Sequence, residues 1–293
     1  MPSWRFEAIG THWEVETTDP LPDAARAAVA AEIERFDREW SRFRGDSDVT
    51  RLSRVGGVLI SDDVGAMFDA YRALSAATSG AVNPLIAGSL EALGYDADYS
   101  LVVGDPVPAP ADWERRVSWT GTEVAATAPV LLDVGALGKG RLVDLVFERL
   151  ASVPGDLVVD AGGDIRARGA AVRIGLEHPY DATKAIGVVE LQGRALCASA
   201  INRRAWGSGL HHVLDARTGL PVRRWAATWA LAPEAMVADA VATALFFDGG
   251  VEIATSWGVE WVRMSTDGRV QRSPGCPAEL FLARGNTRGE TPN

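Results

Sequence analysis

The sequence predicts an α+β fold: a single large domain of mixed sheets with flanking helices, one arrangement of which is two lobes around a central cleft. Three observations carry that prediction. Helical and strand periodicities are interspersed without regular βαβ alternation, so a doubly wound parallel sheet is not indicated. A chain of 293 residues that is 47% hydrophobic has enough apolar material for a sizeable core. No stretch reaches the roughly 18 consecutive apolar residues of a membrane span, and no internal repeat is present.

The elements follow in chain order. Residues 4–9 (WRFEAI) and 13–17 (WEVET) are β-prone runs split by Gly10 and pair as a hairpin. Beyond Leu21, the side chains Val29, Ile33, Phe36, Trp40 and Phe43 recur at spacings of four and three. That spacing puts all five on the core face of one helix, which ends near Gly45. Asp46-Ser47-Asp48 then reads as a polar turn. A second helix covers 61–77 and stops at Thr78-Ser79-Gly80. Residues 104–112 hold three prolines and form a surface loop, and 116–120 with 123–134 form a hairpin about Gly121.

A helix follows over 138–150, with Leu142, Val143, Leu145 and Val146 on its apolar side. Strands are expected near 156–160, 164–169, 171–176, 186–191, 195–199 and 211–214. A helix-rich stretch over 235–257 precedes two strands near 259–264 and 268–272. Residues 1–284 read as one domain and 285–293 as a polar, disordered tail.

Charge and cysteines narrow the function. The balance of 29 basic against 39 acidic residues, a net charge of −10, disfavours a nucleic-acid partner because phosphate backbones are repelled. Cys197 and Cys276 form no CxxC pair, so they read as reduced thiols rather than a zinc knuckle or a disulfide framework. The N-terminus has neither an apolar h-region nor a lipobox cysteine, which predicts a cytoplasmic protein. Only two of the basic residues are lysines, Lys139 and Lys184, which draws attention to where Lys139 sits.

Four segments carry chemistry-bearing residues. In the first, Leu132-Asp133-Val134-Gly135-Ala136-Leu137-Gly138-Lys139-Gly140 runs from a strand into a helix. Free amides at a helix N-terminus and one lysine suit a phosphate or diphosphate, although the spacing is not that of a P-loop. In Val159-Asp160-Ala161-Gly162-Gly163-Asp164-Ile165, two glycines let backbone crowd a flat ring or a sugar. The third, His211-His212-Val213-Leu214-Asp215-Ala216-Arg217-Thr218-Gly219, places two of the four histidines side by side. On a strand they face opposite sides, so only one can enter a given pocket, as a base or a phosphate ligand. The fourth is Ala238-Asp239-Ala240-Val241-Ala242-Thr243, where a carboxylate and a hydroxyl four apart share a helix face amid small apolar residues. Oxygen donors alone suit magnesium or calcium rather than zinc. Each segment also has an ordinary reading: a tight strand–helix turn, a β-turn, a pair of plain strand histidines, and a helix cap.

Taken together and in this order, the four segments resemble the ApbE family, the FAD:protein FMN transferases. The N-terminal pieces fit as well: Gly10-Thr11, Trp40-Ser41-Arg42-Phe43 before Asp46-Ser47-Asp48, and Gly80-Ala81-Val82-Asn83-Pro84 before Gly94-Tyr95. The resemblance spans about residues 5–248. It implies an enzyme that binds FAD as substrate with Mg²⁺, cleaves the diphosphate, and passes FMN to a threonine or serine hydroxyl of a target flavoprotein. By the same resemblance, Asp239 and Thr243 bind magnesium together with the Ala136 carbonyl. Asp133 and Lys139 hold FAD. Ile9, Phe43, Ala81, Val82, Asn83, Gly162, Gly163, Asp164 and Val213 complete the flavin site, and His212 is the base for the attacking hydroxyl. Magnesium and lysine neutralise the charge that develops on the diphosphate, with Arg203, Arg204 and Arg217 as further candidates.

Several positions depart from the family pattern. Asn83 replaces an Asp, Asp160 an Asn, Ala216 a Pro and Ile9 a methionine, and Ala198-Ser199-Ala200 replaces a Thr-Ser-Gly. A magnesium-dependent FAD diphosphatase, with water as nucleophile, and a non-catalytic FAD carrier use the same residues.

Overall fold

The structure, a computed structural model, describes residues 1–207 and 209–281. The expected polar tail at 285–293 lies outside the described residues.

The chain opens with the expected hairpin, β1 (Ser3–Ala8) and β2 (Thr11–Thr17), joined by a two-residue turn at Ile9 and Gly10. Both turn residues have positive φ, 46° and 70°, as a type I′ turn requires. That conformation is unusual for a β-branched side chain such as Ile9. Helix α1 (Asp23–Trp40) buries Val29, Ile33, Phe36 and Trp40 as the spacing predicts. Phe43 does not continue that stripe. The chain leaves the helix at Ser41, whose backbone is extended, and Phe43 packs beside Leu90, Leu93 and Tyr95 instead of in the main core.

The expected polar turn is in fact the start of a helix, α2 (Asp48–Val55). Ser47 accepts the Thr50 amide at 3.1 Å as its N-cap. Strand β3 (Gly57–Ile60), helix α3 (Val64–Ala77), and the short α4 (Ala87–Ala92) and α5 (Trp113–Arg116) follow. The next hairpin pairs β4 (Val117–Trp119) with β5 (Glu123–Ala126), and its second strand stops well before residue 134. Beyond it, Val130, Leu132, Val134 and Leu137 are buried without a partner strand, and the Asp133 amide donates to the Pro84 carbonyl at 2.8 Å. A loop meets a loop there, so the apolar alternation persists while the ladder does not.

Helix α6 (Gly138–Arg149) leads into β6 (Leu157–Asp160), β7 (Asp164–Arg168), β8 (Val172–His178), β9 (Asp181–Leu191) and β10 (Ala195–Ala200). The strand expected over 211–214 is broken. Short pairs β11 (Ala205–Trp206) with β12 (Leu210–His211), and β13 (Leu214–Asp215) with β14 (Leu220–Pro221), leave His212 and Val213 between them. Strand β15 (Trp225–Ala232) gives no alternating signal because every residue in it is buried. Helices α7 (Ala235–Ala244) and α8 (Gly250–Ser256) and strands β16 (Glu260–Ser265), β17 (Val270–Arg272) and β18 (Glu279–Leu280) complete the described chain.

Eight strands form the central sheet in the order β1-β2-β6-β7-β10-β15-β16-β17, and every pairing is antiparallel. That agrees with the α+β expectation. Alternate side chains of this sheet enter two cores. Val159 and Cys197 join Leu142 and Val241 of α6 and α7, whereas Val158 and Leu196 join Leu176 and Val189 of the β8-β9-β18 sheet. No helix among the described residues is long and apolar enough to cross a membrane.

Candidate active site

A cleft of about 630 Å³ opens on the helical side of the sheet. Its walls come from the β1–β2 turn, the chain after α1, the 81–86 loop, the turn into α6, the end of β10, the 203–206 segment and α7. The residues Ile9, Phe43, Ala81, Val82, Asn83, Asp133, Ala136, Lys139, Gly162, His212, Val213, Asp239 and Thr243 all line it. Gly163 and Asp164, expected in the flavin site, do not. The Gly163 amide donates to Asp160 Oδ1 at 2.9 Å. Asp164, with no exposed surface, lies beneath the floor as the counter-ion of Lys139 at 2.7 Å.

The floor is ionic. Lys139 Nζ also reaches the Ala161 carbonyl at 3.3 Å. Burial opposes its charge, but the Asp164 and Asp239 carboxylates outweigh that and hold its pKa above the ordinary lysine value. Asp239 is 3% exposed and accepts the Gly140 amide at 2.9 Å. Burial, reinforced by the negative Asp164, pushes its carboxyl well above the usual carboxylate range. Asp239 is not a helix cap. The first two amides of α7, those of Ala235 and Met236, donate to Asp144 instead, each at 2.8 Å. Asp239 therefore stands in mid-helix with Thr243 one turn further on the same face.

Among the described residues, no cluster of three or more His, Cys, Asp or Glu side chains could close around a metal ion. A cation here needs a hydroxyl and a backbone carbonyl as ligands. The Asp239 carboxylate, the Thr243 hydroxyl and the Ala136 carbonyl all belong to residues lining the cleft. This all-oxygen set fits a hard divalent ion.

Asp133 lines the cleft with both carboxylate oxygens already partnered. Its Oδ1 accepts the Gly135 amide and its Oδ2 the Arg42 Nε–H, each at 2.7 Å, so both oxygens brace the turn rather than reach freely into the cleft. The Tyr71 hydroxyl secures the same turn, donating to the Asp133 carbonyl at 2.9 Å. Asn83 is likewise occupied, donating to Pro110 O and accepting the Leu85 amide, each at 2.9 Å.

The two histidines face opposite ways. Buried His211 donates from Nε2 to the Val222 carbonyl at 2.9 Å, while His212 faces the cleft with Nδ1 unpartnered. Burial, then the neighbouring Arg204 cation, lowers the His212 pKa to about 3, so its imidazole is neutral at physiological pH. Arg203 and Arg204 line the cleft; Arg217 does not, and is ion-paired to Asp215 at 2.6 Å.

Of the aromatic mouth, the family resemblance assigned only Phe43 to the flavin site. Phe43 and Tyr99 stack at 5.2 Å, Tyr95 and Trp206 at 5.3 Å. The Arg42 guanidinium lies 4.2 Å from the Phe43 ring centroid; its two terminal nitrogens make no hydrogen bond, and Nη1 stands 4.0 Å from the Glu91 carboxylate. Arg42 and Tyr95 stand within matched segments, as Phe43 does, so that match could have flagged them too. Tyr71, Tyr99 and Trp206 had no local signal.

Comparison with known proteins bears on this geometry. The model of the ApbE family matches residues 9–261. A protein of Rhodobacter capsulatus named FAD:protein FMN transferase is 29% identical over 307 residues, covering 96% of this chain. The chain spans only 58% of that relative's length. The crystal structure of the ApbE protein from Thermotoga maritima superimposes with a TM-score of 0.80 at 22% identity, covering 93% of this chain and 96% of that one. The apo form of the Pseudomonas stutzeri flavinyl transferase ApbE gives 0.74 at 22% identity, with 93% and 95% covered. These structures share the fold of the molecule described above, and the family match extends over most of its length. The chain belongs to the ApbE family.

Proposed function

We propose that this protein transfers FMN from FAD to a threonine or serine hydroxyl of a target flavoprotein, with magnesium, releasing AMP. One observation carries the reading: Lys139, His212 and the Asp239–Thr243 pair, from three distant stretches of sequence, line a single cleft. The names of the curated relatives support it.

Lys139 and Arg204 supply positive charge to the diphosphate, and the aromatic mouth offers ring faces to a flat heterocycle. Asp239, Thr243 and the Ala136 carbonyl are the groups that would hold magnesium; when bound, it supplies neutralising charge to the phosphate oxygens. The acceptor oxygen forms a bond to the FMN-side phosphorus. The bond from that phosphorus to the bridging oxygen breaks, and AMP leaves with the electron pair. Neutral His212 takes the proton that the hydroxyl loses. Because the cleft already fixes these groups, positioning and charge stabilisation make up most of the catalysis.

Incubating the protein with FAD, magnesium and a threonine-bearing acceptor tests the reading. AMP release with matching in-gel flavin fluorescence on the acceptor, both abolished by EDTA, is the expected result. AMP without labelled acceptor would make the protein a diphosphatase, and FAD binding without AMP would make it a carrier.

A further inference from the structure

Helices α6 and α7 hold each other through carboxylates. Asp239 of α7 accepts the Gly140 amide in the first turn of α6, and Asp144 of α6 accepts the first two amides of α7. Asp144 is 2% exposed, and its Oδ1 also meets Arg166 Nη1 at 2.6 Å. Glu234, at the N-cap position of α7, contributes no side-chain cap, so this end of the helix depends on Asp144. The backbones are close as well: a Cβ on Gly140 would stand 2.3 Å from the Ala235 carbonyl oxygen and 2.7 Å from Asp239 Cβ.

The composition of α7 explains why such a clasp matters. Its sequence, AMVADAVATA, is mostly alanine and valine. Side chains that small form shallow ridges, which do little to lock a helix along its axis. Directional hydrogen bonds at its first turn supply the missing register. Helix α6 carries Lys139 and follows directly on Ala136, whereas α7 carries Asp239 and Thr243. The clasp thus joins the two halves of the candidate cation site.

We infer that Asp144 is a positioning residue: by tying the start of α7 to α6, it sets the height at which Asp239 and Thr243 stand against Ala136 and Lys139. The inference rests on the reading of Asp239 and Thr243 as ligands of a divalent cation. An ordinary cap would stabilise α7 and leave cation affinity alone, so affinity is the quantity to measure.

The probe is Mn²⁺, titrated by electron paramagnetic resonance into the whole chain with FAD present. Parent, Asp144→Ala, Asp144→Asn and Ser47→Ala are compared, with thermal unfolding and circular dichroism run in parallel. Ser47 caps α2 away from the clasp and serves as the purely structural control. Mn²⁺ affinity is expected to fall at least 10-fold in Asp144→Ala. The fall should be smaller in Asp144→Asn, which keeps one oxygen acceptor, and absent in Ser47→Ala despite its lower unfolding temperature. If Asp144→Ala fails to fold, Asp144→Asn carries the test alone. Folded Asp144 variants that bind Mn²⁺ like the parent would overturn the inference. A folded parent that binds no Mn²⁺ would overturn the cation reading itself, a distinct result.

Discussion

At the floor of the cleft, Lys139, Asp164 and Asp239 sit on or beside regular elements, and each is pinned by a charged or backbone partner. At the mouth, Phe43, Tyr95 and Tyr99 lie on loops and meet Trp206 of a two-residue strand through stacked and edge-on ring contacts, with the Trp206 indole donating to the Leu93 carbonyl at 2.9 Å. Charges buried in a low-dielectric floor must be partnered, so their geometry is fixed before any ligand arrives. Stacked rings are exchangeable, because a flat ligand offers a face equivalent to that of a tyrosine. In the proposed reaction the floor therefore serves the chemistry and the mouth the binding, and substitutions in the two regions should differ in size and kind.

The largest effect is expected at the floor. Asp239→Ala should lower magnesium-dependent AMP release by about 1000-fold at saturating FAD, since a metal contributes several kcal/mol to a charged transition state. Near-parental turnover would remove Asp239 from the mechanism.

His212→Asn should lower flavin transfer to an acceptor peptide by roughly 100-fold, the scale of general-base catalysis. His211→Asn should stay within a few-fold, because that ring is turned to Val222. With its folded pKa near 3, His212 stays unprotonated through the mildly acidic range, so transfer should show no inflection near pH 6.5. The sign for stability follows from the same shift. Below about pH 6.5 the unfolded chain binds a proton that the folded chain refuses, so stability is lost as pH falls from there towards 3. Urea titrations at several pH values should show a shallower acid loss in His212→Asn than in the parent.

Lys139→Ala should weaken FAD binding by about 1.5–3 kcal/mol, the range for hydrogen bonds to charged groups, and leave riboflavin binding unchanged. It also strands Asp164 as a buried, unpaired carboxylate. Removing one partner of a buried pair costs about 3–5 kcal/mol, and Lys139, partly exposed, belongs at or below the lower end. Adding Asp164→Asn should recover stability without recovering FAD affinity. Calorimetry and urea denaturation separate the two effects.

The smallest effect belongs to the mouth. Tyr99→Ala should change FAD affinity only a few-fold, consistent with about 0.5–1.5 kcal/mol for an aromatic pair. Mn²⁺ affinity should not move. A large loss of metal affinity in this variant would mean that the two regions are coupled.

The same division decides how much could be read from sequence. The floor was legible because its patterns are local: Gly138-Lys139-Gly140 opens a helix, and Asp239 with Thr243 repeats its period. Even so, the partners of those residues were not visible. That Asp133 is consumed by Arg42, and that Asp164 lies beneath Lys139, depends on packing between distant segments. Of the mouth the resemblance marked only Phe43, and its assembly was illegible because Phe43 and Trp206 lie more than 150 residues apart in sequence. Elsewhere the failures have their own causes. Phe43 extends an apolar period past the true end of α1, the polar run before α2 hides a capped helix, and β15 is buried on both faces.

Cys197 extends the view of the floor to its dynamics. Its thiol is fully buried under α7 and donates to the Ala235 carbonyl at 3.3 Å, at the point where the clasp begins. Burial, reinforced by Asp164, pushes its pKa well above the ordinary thiol value. A sulfur that is neither exposed nor ionised reacts only when the surrounding structure opens. The rate at which a thiol reagent modifies Cys197 is thus a clock for the parting of β10 from α7. Cys276, in the core on the opposite face of the sheet, provides a second clock in the same molecule. A ligand that tightens the floor should slow the first and leave the second running at its own pace.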